Sequence, residues 1–235
     1  MSPALVRIVR VVMPPPPGRA IKRCGKLFET GPCPSVEDPV STPDFWEACY
    51  HAGEDQWDLG QPTPLFERVA AELEPGRICL IGCGRGWDAV TFAKAGFTVT
   101  AIDFAEPAVL AARRNALAAG AEVTVLKEDI FDLPGELHGQ FDYLLEYTCF
   151  CAVSPLRRFE YDRVAWQLLK PGGMLVGAFF PLDKPLAEGG PPWGVTISEL
   201  HALFSLHWQL DREEAPEDSI EPRRGREVLQ YWRKV

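Results

Sequence analysis

Apolar residues in this chain fall into short runs separated by longer stretches of helical spacing. The runs at 78–81, 98–102, 123–126, 141–147 and 174–180 have the length and β-branched content of buried strands. Between them lie helical patterns at 64–73, 87–95, 106–119 and 155–169. Pro107 falls in the first turn of the third pattern, and Gly96 and Gly120 act as stops. Pro75-Gly76 ends the first helix, and Pro171-Gly172-Gly173 reads as the turn before the fifth strand. Strands that alternate with helices predict an α/β fold on a parallel, doubly wound sheet. Further on, 198–204 reads as a short helix with Ser198 as its cap. Two last strands, 207–213 and 226–233, flank a polar, proline-containing stretch at 214–225. As a near-hairpin they are expected to add an antiparallel edge.

The start of the chain breaks this pattern. Prolines stand at 14–17, 32, 34, 39 and 43, and the apolar run 4–13 is interrupted by Arg7 and Arg10. That run is too short and too charged for a secretory signal. Residues 1–42 are expected to be a disordered or atypical extension, with an organelle transit peptide as the alternative, and residues 43–235 to form the folded domain. From Pro43 on, Phe45, Trp46, Cys49 and Tyr50 share one helical face, and Trp57 follows. These aromatics are either core packing or a lid over a small-molecule ligand.

The chemistry centres on 78–103. A strand leads into Gly82, Gly84 and Gly86; a helix follows, and the next strand ends on Asp103, 21 residues beyond Gly82. Glycines let the backbone approach a ligand, and the new helix aims free N–H groups at the same place. Asp103 can accept hydrogen bonds from ribose hydroxyls. A dinucleotide site prefers G-x-G-x-x-G, whereas here the spacing is G-x-G-x-G and Trp87 follows. A second acid at a strand tip, Asp129 before Ile130, favours S-adenosylmethionine, which carries no phosphate. Ligands of such sheets bind outside the carboxyl ends of the strands, so Gly82, Asp103, Asp129 and Tyr147 are expected in one crevice.

Charge and cysteine content narrow the classes. The net charge is −9, yet six of the 24 basic residues and none of the 33 acidic ones lie in residues 1–28, which leaves an acidic body. That argues against a nucleic-acid partner. No apolar run reaches eighteen residues, so no membrane span is expected. Seven cysteines without paired spacing, and four scattered histidines, give no metal site. The cysteines read as reduced thiols of an intracellular, cytoplasmic protein.

Several stretches carry a resemblance: FWEACY with WDLGQPTP, LIGCGRGWDAV, AIDFAEPA, KEDIFDL, EYTCFCAVSPLRR, LLKPGG, GGPPWGVT and PRRGREVLQYWRK. Together they span about four fifths of the chain. The sequence resembles class I, Rossmann-like S-adenosylmethionine-dependent methyltransferases of the thiopurine methyltransferase superfamily, especially the halide/thiol (thiocyanate) methyltransferases. The resemblance implies a seven-stranded, mostly parallel sheet with its last strand antiparallel, and an N-terminal lid segment. It carries cofactor contacts onto Trp46, Trp57, Gly82, Asp103, Asp129, Ile130 and Tyr147, with Gly84 as the next glycine of the turn. Tyr50 stands where the family often has Trp. Arg158 matches an arginine that faces the acceptor in relatives.

The expected reaction is methyl transfer to a small soft nucleophile: a thiol, hydrosulfide, methanethiol, thiocyanate or halide. Such anions need no general base, and no Ser-His-Asp or Cys-His arrangement is evident. The acceptor pocket is expected between Tyr147, Phe150, Arg158 and the Trp193 loop, with Cys149 and Cys151 as wall rather than nucleophiles. A small-molecule or inorganic-anion substrate and a monomeric chain complete the expectation. The alternatives are a thiopurine-like, tellurium- or selenium-directed, or O-methylating enzyme, and a non-catalytic cofactor-binding regulator.

Overall fold

The computed structural model describes residues 39–235. The reading of residues 1–38 as an extension lies outside them. Residues 39–42, which the sequence reading set outside the domain, include a 3-10 turn over Pro39–Ser41 that leads into the first helix.

Helix α1 (Pro43–Ala52) starts on a proline and stops at Gly53, whose φ of 70° is left-handed. Helix α2 (Pro64–Glu72) buries Leu65, Phe66, Val69 and Ala70 on one face. Then β1 (Arg77–Ile81), α3 (Trp87–Lys94), β2 (Thr98–Asp103), α4 (Glu106–Ala119) and β3 (Val123–Lys127) alternate as expected. They are followed by β4 (Phe141–Tyr147), α5 (Arg158–Leu168), β5 (Leu169–Phe179), α6 (Ile197–Phe204), β6 (Trp208–Glu214) and β7 (Val228–Lys234).

The seven strands form one sheet in the order β3-β2-β1-β4-β5-β7-β6. β1 to β5 are mutually parallel neighbours, and β7 runs antiparallel between β5 and β6. The last two strands therefore form the expected antiparallel pair at one end of the sheet, with β7 inside and β6 outermost. β7 is buried at six of seven positions, whereas β6 is mostly exposed. The more apolar strand takes the interior place because both its faces are covered.

Two further expectations shift. Leu169 already pairs with Phe141, and Met174 pairs with Tyr143, so Pro171-Gly172-Gly173 bulges within β5 instead of preceding it. Thr196, not Ser198, caps α6: its hydroxyl accepts the Glu199 N–H while Glu199 accepts the Thr196 N–H, a reciprocal capping box.

Side chains alternate across the sheet. Ile78 and Leu80 pack with Phe66 and Phe92 on the α2–α3–α4 side, while Cys79 and Ile81 pack with Phe150, Tyr161 and Phe204 on the α5–α6 side. Both cores end at the carboxyl tips of the strands, where the loops are free to build a site.

Candidate active site

At the tips of β1, β2, β3 and β4 lies a cavity of about 660 Å³. Gly82, Asp103, Asp129 and Ile130 line it, together with Trp46, Tyr50 and Trp57. Seven of the residues singled out by sequence thus meet on one surface, and α1 contributes the aromatic wall.

The glycine turn follows from close packing. Gly82 has φ +58°, and a Cβ there would lie 2.8 Å from the Cys149 Sγ. Only glycine fits this backbone against the loop after β4. Asp103, 8% exposed, accepts the Gly84 N–H at 2.9 Å and the Ala105 N–H at 3.0 Å. Burial raises its pKa above the usual carboxylate value, and these N–H donors pull it back. Gly84 itself stands behind the cavity surface, holding Asp103. Asp129 accepts the Phe131 N–H at 2.9 Å, which fixes the turn after β3.

The lid is tied down from several sides. The Trp46 indole N–H donates to the Val40 carbonyl at 2.8 Å, and the Trp57 indole donates to the Tyr50 hydroxyl at 3.3 Å. Trp46 and Tyr50 both meet Trp57 edge-on. Arg85, inside the glycine turn, pairs with Asp55 and with Asp58 at 2.6 Å. Asp58 also accepts the Trp87 indole N–H at 2.8 Å. Glu47 accepts the Glu106 N–H at 2.9 Å, joining α1 to the start of α4. These aromatics therefore wall the cavity and do not merge into the core.

Other expected residues sit elsewhere. Tyr147 does not line the large cavity. It lines a 70 Å³ chamber beside it, packs edge-on against Phe66, and is covered by the Arg223 guanidinium 4.5 Å above its ring. Odd positions at the end of β4 point to the α2 side, which carries Tyr147 away from the opening. Arg158 is buried behind the wall: it donates to the Gly194 carbonyl at 2.9 Å and stacks on Phe150. Phe150 is core. The Trp193 loop reaches the cavity through Pro191 and Pro192.

Beside the cofactor-type residues the cavity is lined by Cys149, Cys151, Ala152, Phe180, Pro192 and Arg223, among others. Burial pushes the Cys151 thiol up to about 12 and the Cys149 thiol well above its ordinary value, so both stay protonated at neutral pH. Arg223 is 5% exposed. Its Nη2 donates to the Trp57 carbonyl at 3.2 Å, its Nη1 is buried without a hydrogen-bond partner, and it forms no ion pair among the described residues. The carboxylates of Asp88 and Glu227 feel its charge and offset part of the cost of its burial; an anion in the cavity would offset more. The sequence offered a signal in the Arg223-Arg224-Gly225-Arg226 cluster, which the reading of 214–225 as a plain connecting loop passed over.

Residues 41–234 match the thiopurine S-methyltransferase family. A probable thiol methyltransferase 2 of Arabidopsis thaliana is 35% identical over 195 residues, covering 80% of this chain and 84% of the relative. Thiocyanate methyltransferase 1 of Brassica oleracea is 34% identical over 196 residues, covering 81% and 84%. Among solved structures, the 1,6-didemethyltoxoflavin-N1-methyltransferase of Burkholderia thailandensis, bound to S-adenosylhomocysteine, matches with a TM-score of 0.66. It is 23% identical and covers 83% of this chain and 88% of its own, a likeness of fold.

Proposed function

The chain belongs to the thiopurine S-methyltransferase family and is an S-adenosylmethionine-dependent methyltransferase; we propose that its acceptors are small, soft nucleophiles bound as anions, of the thiolate, hydrosulfide, thiocyanate or halide kind. The observation that carries this reading is Arg223, a buried guanidinium on a cavity wall that also presents Cys149, Cys151, Ala152 and Phe180. The names of the plant relatives, a thiol and a thiocyanate methyltransferase, support the same class.

The residues present fit the cofactor. Gly82 leaves room for its amino-acid end. Asp103, which lines the cavity, would accept hydrogen bonds from the ribose hydroxyls. Asp129 and Ile130 hold the adenine end, and Trp46, Tyr50 and Trp57 close over it. When bound, S-adenosylmethionine supplies an electrophilic methyl group on a positively charged sulfur.

The chain's own contribution is position and charge. The aromatic lid excludes water, which strengthens attraction within the cavity. Arg223 supplies the positive charge that draws the anion to its part of the cavity wall. A neutral thiol, with pKa near ~8.5 in solution, ionises more readily beside this guanidinium and releases its proton to solvent. Thiocyanate and halides arrive ionised and need no base. Methylation at the protein's own Cys149 or Cys151 is disfavoured, because both thiols are held protonated.

The test is a product assay with S-adenosylmethionine and a panel of iodide, thiocyanate, hydrosulfide, methanethiol, an aromatic thiol and a phenol. Methylated soft anions, with the phenol unreacted, are expected. Turnover of the phenol alone would overturn the acceptor class. Tight cofactor binding with no product from any acceptor would favour a regulator.

A further inference from the structure

None of these roles uses the carboxylate of Glu146. It is the sixth residue of β4, 1% exposed, and faces the α5 side of the sheet, away from Tyr147. Its Oε1 accepts the Phe150 N–H at 2.7 Å, and its Oε2 accepts the Tyr161 hydroxyl of α5 in a short hydrogen bond. The chain that follows makes the acceptor-side wall. Thr148, Cys149, Cys151, Ala152, Val153 and Ser154 all reach the cavity. This turn starts under strain, since Thr148 has φ 60°, the only positive value outside glycine among the described residues. A left-handed backbone is unfavourable for a residue with a Cβ, so its surroundings must impose it. The same turn supports the proline loop, because the Cys151 carbonyl accepts the Trp193 N–H at 2.7 Å.

We propose that Glu146 is the positioning residue of the acceptor-side wall: clamped by Tyr161, its carboxylate holds the 148–154 turn in the shape that presents Cys149, Cys151 and Ala152 to the substrate. Glu146 does not line the cavity, so it acts through the turn. Every hydrogen-bonded neighbour of the carboxylate donates to it. An amide or a protonated carboxyl instead donates to the Tyr161 hydroxyl, which can also accept, so the pair is kept but both contacts lose the charge that strengthens them. The titratable groups facing Glu146 are Tyr161 from α5 and the thiols of Cys149 and Cys151 in the turn; β5 presents Gly177. The inference rests on the acceptor reading only in naming this wall the acceptor's side.

Hydrogen–deuterium exchange of the wild type, E146Q and Y161F, alongside S-adenosylhomocysteine titration and acceptor kinetics, tests it. In E146Q the 148–154 amides are expected to exchange about tenfold faster while those of 141–146 stay as they were. Acceptor kcat/KM is expected to fall about tenfold as charge-assisted contacts become neutral ones, with cofactor-product affinity changed less than about twofold. Y161F keeps the Phe150 contact and removes one donor. It is expected to fold and to speed the same amides about threefold. Using thiocyanate, which does not titrate here, Y161F is also expected to move the acid limb of kcat/KM to higher pH. Unchanged exchange in 148–154, or equal losses of cofactor and acceptor binding, overturns the proposal. If E146Q does not fold, Y161F decides by its exchange. If no acceptor turns over, the acceptor reading fails while the exchange still decides the role of Glu146.

Discussion

The guanidinium of Arg223 donates to the carbonyl of Trp57 at 3.2 Å and lies 4.5 Å above the ring of Tyr147, while the residue also lines the cavity. One residue between β6 and β7 thereby touches both the lid and the acceptor side. Arg223→Gln is expected to lower acceptor kcat/KM by about 100-fold, at the upper end for a charge-assisted contact. Arg223→Lys keeps the charge but not the two-pronged geometry, and is expected to raise the acceptor KM about tenfold. Steady-state kinetics with the most active acceptor decides it; acceptor kinetics unaltered in Arg223→Gln would remove this residue from the site.

Asp103 is gripped by the backbone N–H groups of Gly84 and Ala105 and lines the cavity. Asp103→Asn points an N–H donor at one of these donors and removes the charge. Calorimetric titration with S-adenosylhomocysteine is expected to show about 10–100-fold weaker binding, and undiminished affinity would mean that another residue holds the ribose.

Gly82 and Cys149 are coupled by space. Gly82→Ala adds a Cβ 2.8 Å from the Cys149 Sγ at a φ of +58°. Cofactor affinity and melting temperature are both expected to drop. Adding Cys149→Ala relieves the collision but leaves about 1–2 kcal/mol of backbone strain, so the double variant should recover only part of the loss. Full recovery would show that sterics alone require glycine here; no recovery would deny the coupling.

Arg85 clamps Asp55 and Asp58 of the lid segment to the glycine turn. These charges are partly exposed, so the contact is modest, about 1 kcal/mol. Arg85→Ala is expected to weaken S-adenosylhomocysteine binding about fivefold, to speed exchange of amides in 53–60, and to spare the sheet. A variant with wild-type exchange in that segment would show that the aromatics hold the lid alone.

Glu146 also gives the stability a pH dependence. Burial raises it from 4.5 to about 7, against the pull of the Tyr161 hydroxyl and the Phe150 and Cys149 N–H groups. Between these values the folded chain keeps a proton that the unfolded chain has released. The stability contribution is therefore full below pH 4.5 and is lost as pH rises through 7. The loss is on the order of 3 kcal/mol. Glu146→Gln lacks this dependence, so relative to wild type the variant should gain unfolding free energy between pH 5 and pH 8. Denaturant titrations at both pH values give the comparison, and a constant difference between the proteins would contradict it.

The sequence by itself determined the strand–helix alternation, because periodicity of 2 and 3.6 is written in neighbouring residues. It also determined the places of Gly82, Asp103, Asp129 and Ile130, since each follows directly from where a strand ends. The aromatics at 45–57 were legible as a group, though not whether they pack inward or line a cavity. Only the tertiary structure decided what depends on contacts between distant segments. β7 entered the sheet between β5 and β6 because its two covered faces outweigh the simple hairpin order. Arg158, next to Arg157 in the chain, turned inward to the Gly194 carbonyl, and Tyr147 ended behind Arg223. The stacking of Arg223 on Tyr147 and the buried grip of Tyr161 on Glu146 arise from partners 76 residues and 15 residues away. A charge is stacked on a ring or a carboxylate is buried only relative to what folds around it, and local sequence carries no record of that.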